Sequence, residues 1–159
     1  MATKRLSTSA ALIGGTLVAG SCDITFAILF WWFRAGVGPT RILQSVASGL
    51  IGRQAAISGG MKTALLGLFL HYFIAFCFVL FYFLVAKALP VLRRHAVILG
   101  SIYGLGIYFV MNYVVIPLSA TKRGPFNMLS FVLSLIVHAF LIGLPAALFA
   151  KAALPESES

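Results

Sequence analysis

LVAGSCDITF, residues 17–26, decides what kind of protein this chain is. Small residues precede Cys22, as they do at the cleavage site of a lipoprotein signal peptide, which is the alternative interpretation. However, the apolar run continues beyond the cysteine as ITFAILFWWF, and its closing tryptophans are typical of a membrane interface. Ala19 also stands where the lipoprotein pattern usually has leucine. The stretch therefore predicts an uncleaved spanning helix that carries an acid, Asp23, inside the membrane.

The composition of the whole chain agrees with a polytopic membrane protein. Of its 159 residues, 61% are hydrophobic and only 9% are charged, and the mean hydropathy is +1.05. Soluble domains are about 25% charged. A water-soluble fold of this composition would lack the polar surface needed to cover itself, so the predicted class is an all-α membrane protein.

Four apolar blocks are long enough to cross the bilayer. About 20 residues at about 1.5 Å each span the ~30 Å hydrocarbon core. We predict one transmembrane domain over residues 1–159, with short polar tails and spans at about 10–33, 61–86, 96–117 and 126–150. Pro117 and Pro145 predict a helix stop and a kink in the last two spans.

The connection after the first span, residues 34–60, is different from the others. It begins with Gly and Pro and ends in SGG, which are breaker signals. Between them Ile42, Val46 and Leu50 recur at helical spacing. This pattern predicts an amphipathic helix over about 39–56 that lies in the interface plane. A re-entrant half-helix is the alternative.

The basic charge of the chain indicates lipid rather than nucleic acid as its partner. The net charge is +9, but the Lys and Arg residues flank the apolar blocks, where they contact anionic headgroups. Arg41 and Arg53 on the amphipathic segment are candidates for binding lipid headgroups or for forming a lid over the interior. The twelve basic residues divide equally between the two sides. The positive-inside rule therefore gives no orientation, and we assume that both termini are cytoplasmic.

Each span contains one strongly polar residue near its middle: Asp23, His71, Asn112 and His138. Each of these lies on a stripe of small residues at steps of four, as in the series that runs from Ala11 to Asp23. Residues four apart share a helix face, and small stripes are where membrane helices approach closely. The four side chains are therefore predicted to face the bundle interior and to converge on one polar cluster.

Such a cluster would respond to protons. A carboxyl group at mid-membrane costs about 2.5–3.5 kcal/mol on insertion scales. Asp23 relieves this cost either by staying protonated and donating a hydrogen bond, or by pairing with a protonated His71 or His138. Because histidine titrates near neutral pH, an acid and imidazoles together predict a proton or cation relay or a substrate cavity. The alternative is a purely structural tie between helices, worth about 0.6 kcal/mol.

Signatures of enzymes are missing from the sequence. It has no G-x-S-x-G, no H-E-x-x-H and no pair of carboxylates within the apolar blocks. Cys22 and Cys77 do not make a metal motif and are interpreted as packing residues. We therefore predict no enzyme activity, no catalytic residue, no cofactor and no metal site.

Four segments carry a resemblance to a known family. They are GTLVAGSCDITFAILFW, PTRILQSVASGLIG, LGLFLHYFIAF and YFVMNYVVIPLSA. They resemble a family of small, uncharacterised four-helix proteins of the bacterial inner membrane, and the resemblance implies that location. The layout is also similar to that of small multidrug transporters, which have four helices and an acid in the first. The long first connection, and Asp in place of Glu, depart from that pattern.

Two functions follow as hypotheses. The first is a small proton-coupled transporter, or a subunit of one, that works as a homo-oligomer because four short helices enclose little volume. The second is a membrane scaffold, a lipid-binding protein or an envelope-stress protein without catalytic activity. In that case the buried polar residues only hold helices together.

Overall fold

Four long helices form the body of the protein in a computed structural model, which describes residues 5–121, 124 and 126–155. Their bounds are α1 (Thr8–Ala35), α4 (Gly60–Ala88), α6 (Ala96–Leu118) and α7 (Met128–Ala153). The shortest has 23 residues, which at about 1.5 Å each exceeds the ~30 Å hydrocarbon core. The described residues form no strand. The predicted all-α class with four helices able to span a membrane is confirmed, and it is compatible with a membrane location.

Three short helices complete the described chain: α2 (Pro39–Ile51), α3 (Arg53–Ser58) and α5 (Pro90–Arg94). The segment predicted as one helix over about 39–56 is thus divided between α2 and α3. Gly52 divides it because its φ of 79° is a left-handed conformation that side chains other than glycine rarely adopt. The predicted polar tails, with Glu156 and Glu158, lie outside the described residues.

Small residues line the contacts between α1, α4 and α7. Ala11 and Ala19 on α1 are fully buried. Gly15, between them, lies against Val79 of α4 and Phe149 of α7. In a bilayer no hydrophobic force would draw such helices together, so close van der Waals contact would have to stabilise the bundle. Larger apolar side chains, such as Phe33 and Phe69, are exposed on the outer surface.

Helices α6 and α7 cross through glycine. A Cβ atom added to Gly104 would collide with the backbone of His138, and one added to Gly143 would collide with the backbone of Gly104. The two backbones are therefore in direct contact, which only glycine permits.

Helix α2 packs against the first turns of α4. Gly67 of α4 contacts the backbone of Leu43 and Ala47, and Ala47 is fully buried. By contrast, Leu50 is 63% exposed. Part of the apolar pattern of α2 therefore packs on the bundle and part of it stays outside.

The two described ends of the chain lie on the same face of the bundle. The backbone N–H of Leu6 donates to the carbonyl of Ala152 at 3.1 Å. This follows from an even number of long helices that alternate in direction. On this face, buried Arg93 donates to the carbonyl of Ala86 at 2.6 Å and thereby caps the end of α4.

Candidate functional site

Asp23 of α1 and His71 of α4 face each other across the contact between their helices. The carboxylate Oδ2 of Asp23 lies 4.0 Å from Nδ1 of His71. The His71 side chain is 11% exposed and that of Asp23 is 28% exposed. The acid of the first spanning-length helix therefore has an ionisable partner on the neighbouring helix.

The second ring nitrogen of His71 is held by the backbone of α1. Nε2 lies 2.8 Å from the carbonyl oxygen of Gly20. A carbonyl can only accept, so this contact assigns the hydrogen to Nε2. In the neutral ring, Nδ1 then presents a lone pair toward Asp23. Gly20 of α1 therefore orients the imidazole so that its other nitrogen faces Asp23.

In this geometry Asp23 and His71 can share one additional proton. An unprotonated Nδ1 and a carboxylate are both acceptors, so they repel unless a proton is bound between them. The proton can reside on Nδ1, which gives an imidazolium beside a carboxylate, or on Asp23, which then donates to Nδ1. At 4.0 Å the two atoms are beyond hydrogen-bond distance.

Tyr72 supports the helix contact beside this pair. Its hydroxyl lies 2.7 Å from the hydroxyl of Ser21, and its ring lies over Gly20, where an added Cβ would come within 2.8 Å of it. The His71 and Tyr72 rings meet edge to face, with centroids 5.4 Å apart. From the sequence alone, Tyr72 could either extend the polar network or pack as an aromatic, and no pattern in the sequence indicates the Ser21 contact.

Asn112 and His138 lie on α6 and α7, and each bonds to its own helix. Asn112 Nδ2 donates to the carbonyl of Tyr108 at 2.9 Å, and His138 Nδ1 donates to the carbonyl of Ser134 at 2.8 Å. Tyr108 also joins the two helices, because its ring meets the His138 ring edge to face at a centroid distance of 5.4 Å. In the neutral ring, Nε2 of His138 is then the nitrogen that can accept a hydrogen bond.

Both residues lie in wider, π-helical turns. These turns span Met111–Val115 in α6 and His138–Gly143 in α7. Each is followed by a proline, Pro117 or Pro145. Proline lacks an N–H, and its ring clashes with the carbonyl four residues earlier, so the helix widens just before it. Such turns are frequent at functional sites.

The four polar residues thus form two groups. Asp23 meets His71, while Asn112 and His138 lie close to Tyr108. Among the described residues, no ion pair or hydrogen bond joins a member of the first group to Asn112 or His138. Within the same residues no three His, Cys, Asp or Glu side chains are grouped to hold a metal ion. Convergence of all four on one cluster stays a prediction.

Arg41 and Arg53 are placed together although they lie on different helices. Both line a cavity of about 350 Å³ between α2, α3 and the segment after α6. Gln44, which sequence reasoning did not select, also lines this cavity and is only 4% exposed. A glutamine inside an amphipathic pattern resembles any other polar-face residue, so the sequence gives no sign of its burial.

Comparison with known proteins gives no further assignment. No protein-family model, no curated protein and no solved structure matches the chain. The roles of these residues have to be inferred from their geometry and chemistry.

Proposed function

We propose that this chain is a small proton-coupled transporter, or a subunit of one, and that Asp23 and His71 bind the coupled proton. The observation that carries the proposal is the orientation of His71, whose Nε2 is held by Gly20 while Nδ1 points toward the Asp23 carboxylate. An intramembrane acid with a named partner is a functional candidate by default.

The position of the pair between two helices supports coupling to motion. Binding or release of one proton changes the attraction between α1 and α4, because the two groups belong to different helices. A ligand or proton shifts a conformational equilibrium only through such a difference between states. A second polar group, on α6 and α7, consists of Asn112, His138 and Tyr108.

We place the protein in the bacterial inner membrane with both termini in the cytoplasm, and α2 in the membrane interface. Four spanning-length helices and the equal division of basic residues are compatible with this arrangement. A homo-oligomer would supply the volume that four helices alone do not enclose.

The test is proton uptake in proteoliposomes after a pH jump. We expect uptake with the wild-type chain and its loss in Asp23→Asn and in His71→Gln, since neither amide binds a proton at the gap. Cys22→Ala, one residue from Asp23 on α1, is the matched control and should keep the uptake. Circular dichroism and gel filtration in detergent verify that each variant is folded. Uptake that persists in folded Asp23→Asn would refute the proposal.

A scaffold, lipid-binding or envelope-stress protein is the second candidate. It is favoured by the fact that neither of the two cavities described for the molecule is lined by Asp23 or His71. In a scaffold, Asp23→Asn would lower the unfolding temperature in detergent, and wild-type proteoliposomes would take up no protons. A stable Asp23→Asn variant that has lost its proton uptake would exclude this candidate.

A further inference from the structure

The cavity that contains Arg41 and Arg53 has polar walls from three segments of the chain. Its volume is about 350 Å³, within the range of about 300–1,000 Å³ that is usual for small-molecule sites. Helix α2 and α3 form two walls, and the segment after α6 forms the third. Its polar lining residues are Arg41, Gln44, Ser45, Ser48, Arg53 and Thr121.

The cavity is cationic. No acidic residue lines it, and the only carboxylate in the described part of the chain, Asp23, faces His71 in the bundle. The remaining two acids, Glu156 and Glu158, lie outside the described residues. The two guanidinium groups therefore bring positive charge to the cavity that no carboxylate of its lining neutralises.

Gln44 orients one of these cations. Its Nε2 donates to the carbonyl of Gly60 at 2.9 Å, which fixes the amide against the start of α4. Its Oε1 accepts from Nη1 of Arg41 at 3.4 Å. Because the side chain of Gln44 is buried and held at both ends, it restrains Arg41 at the cavity wall.

The hydroxyl groups of Ser45 and Ser48 in the lining do not compete with the arginines as donors. Ser45 and Ser48 donate to the carbonyls of Ile42 and Ser45, each at 2.6 Å. The segment after α6, which forms the third wall, is held against α2, since the N–H of Ala120 donates to the carbonyl of Gly49 at 2.8 Å. The side-chain donors available to a ligand are therefore chiefly the guanidinium groups of Arg41 and Arg53.

We propose that this cavity binds a phosphoryl group through Arg41 and Arg53. The planar guanidinium donates two parallel hydrogen bonds that match the geometry of phosphate oxygens. The cavity lies on the face where α1 ends and α4 begins, and phospholipid headgroups would lie at this end if the four long helices span a bilayer. The same chemistry recognises a phospholipid headgroup or a free phosphate. This site is separate from the proton pair and does not depend on the proposed transport.

The experiment measures binding of two ligands to the full-length protein in detergent. Native mass spectrometry measures the binding of phosphatidic acid and compares it with that of diacylglycerol with the same acyl chains, which lacks the phosphoryl group. The binding of inorganic phosphate is measured as a rise in the unfolding temperature of the protein. We expect Arg41→Gln and Arg53→Gln each to weaken binding by about tenfold, because each removes charge-assisted hydrogen bonds.

Arg34→Gln and Lys62→Gln are the matched controls. Both remove an exposed cation near the same face, from the end of α1 and the start of α4, without changing the cavity lining. Binding of phosphatidic acid alone identifies a lipid headgroup as the ligand, and binding of both ligands identifies a free anion as well. Equal weakening by the control variants, or no binding of either ligand, would overturn the proposal. Arg41 and Arg53 are exposed, so their variants should remain folded.

Discussion

At the scale of single residues, a polar side chain in a low-dielectric interior is costly unless it has a partner. Asp23 faces His71, and His71 also donates a hydrogen bond to the Gly20 carbonyl. Arg93 has carbonyl oxygens of α4 as its partners, at a helix end that lacks donors of its own. In both cases the partner lies on another helix, so the contact also ties two helices together.

Arg93 provides a direct test of this stabilisation. We expect Arg93→Ala to lower the free energy of unfolding by about 1.5–3 kcal/mol, because it leaves the carbonyls of Ala86 and Lys87 without a charged donor. Arg94→Ala is the control, since Arg94 is the exposed neighbour in α5, and it should change stability by less than about 0.5 kcal/mol. Denaturation in detergent, followed by circular dichroism, measures both. Equal effects would mean that Arg93 is not a cap.

At the scale of helices, glycine and proline set the geometry of the α6–α7 pair. Gly104 and Gly143 bring the backbones into contact, while Pro117 and Pro145 follow the widened turns that contain Asn112 and His138. A sequence pattern with steps of four places these residues on one face only if the helix stays regular. The widened turns break that regularity, which shifts the residues beyond them around the helix axis.

Two glycines on α6 allow a matched test of the crossing. Gly104→Ala should destabilise the protein by about 1–3 kcal/mol, because its methyl group would overlap the His138 backbone. Gly106→Ala should instead stabilise it by up to about 1 kcal/mol, since nothing lies within 4 Å of its added Cβ and alanine favours the helix. Unfolding in detergent compares the two. A neutral Gly104→Ala variant would contradict the close crossing.

At the scale of the whole molecule, the arrangement determines which helix ends share a face of the bundle, but not which side of a membrane that face would occupy. The bond from Leu6 to Ala152 places the described ends on one face. The cavity that contains Arg41 and Arg53 lies on the opposite face, where α1 ends and α4 begins. The Asp23–His71 pair lies between these faces. The pair inside the bundle and the cavity at one end are thus separated along the bundle axis.

Reporter fusions test this topology in cells. We expect a reporter that is active only in the cytoplasm to give the same result at either end of the chain, because four spans return the chain to its starting side. A fusion truncated after α1 should give the opposite result. Opposite signals from the two terminal fusions would contradict the same-face arrangement. This outcome does not depend on which side the termini occupy.

Much of the fold was predictable because it depends on composition and length. Apolar blocks of spanning length determine four long helices, since a backbone in hydrocarbon must satisfy its own hydrogen bonds. The stripe of small residues on α1 correctly indicated its packed face, as the burial of Ala11 and Ala19 shows. The division of the amphipathic segment at Gly52 was not predicted, because one glycine in a helical pattern is compatible with either outcome.

The sequence by itself determined the helical class, the number of spanning-length helices and the isolated acid in the first of them. The physical reason is that hydropathy and helix length act locally along the chain. Only the tertiary structure decided which polar groups meet, pairing Asp23 with His71, placing Asn112 and His138 in widened turns, and bringing Arg41 and Arg53 into one cavity. These partners depend on helix rotation and on contacts between distant segments, which no local pattern encodes.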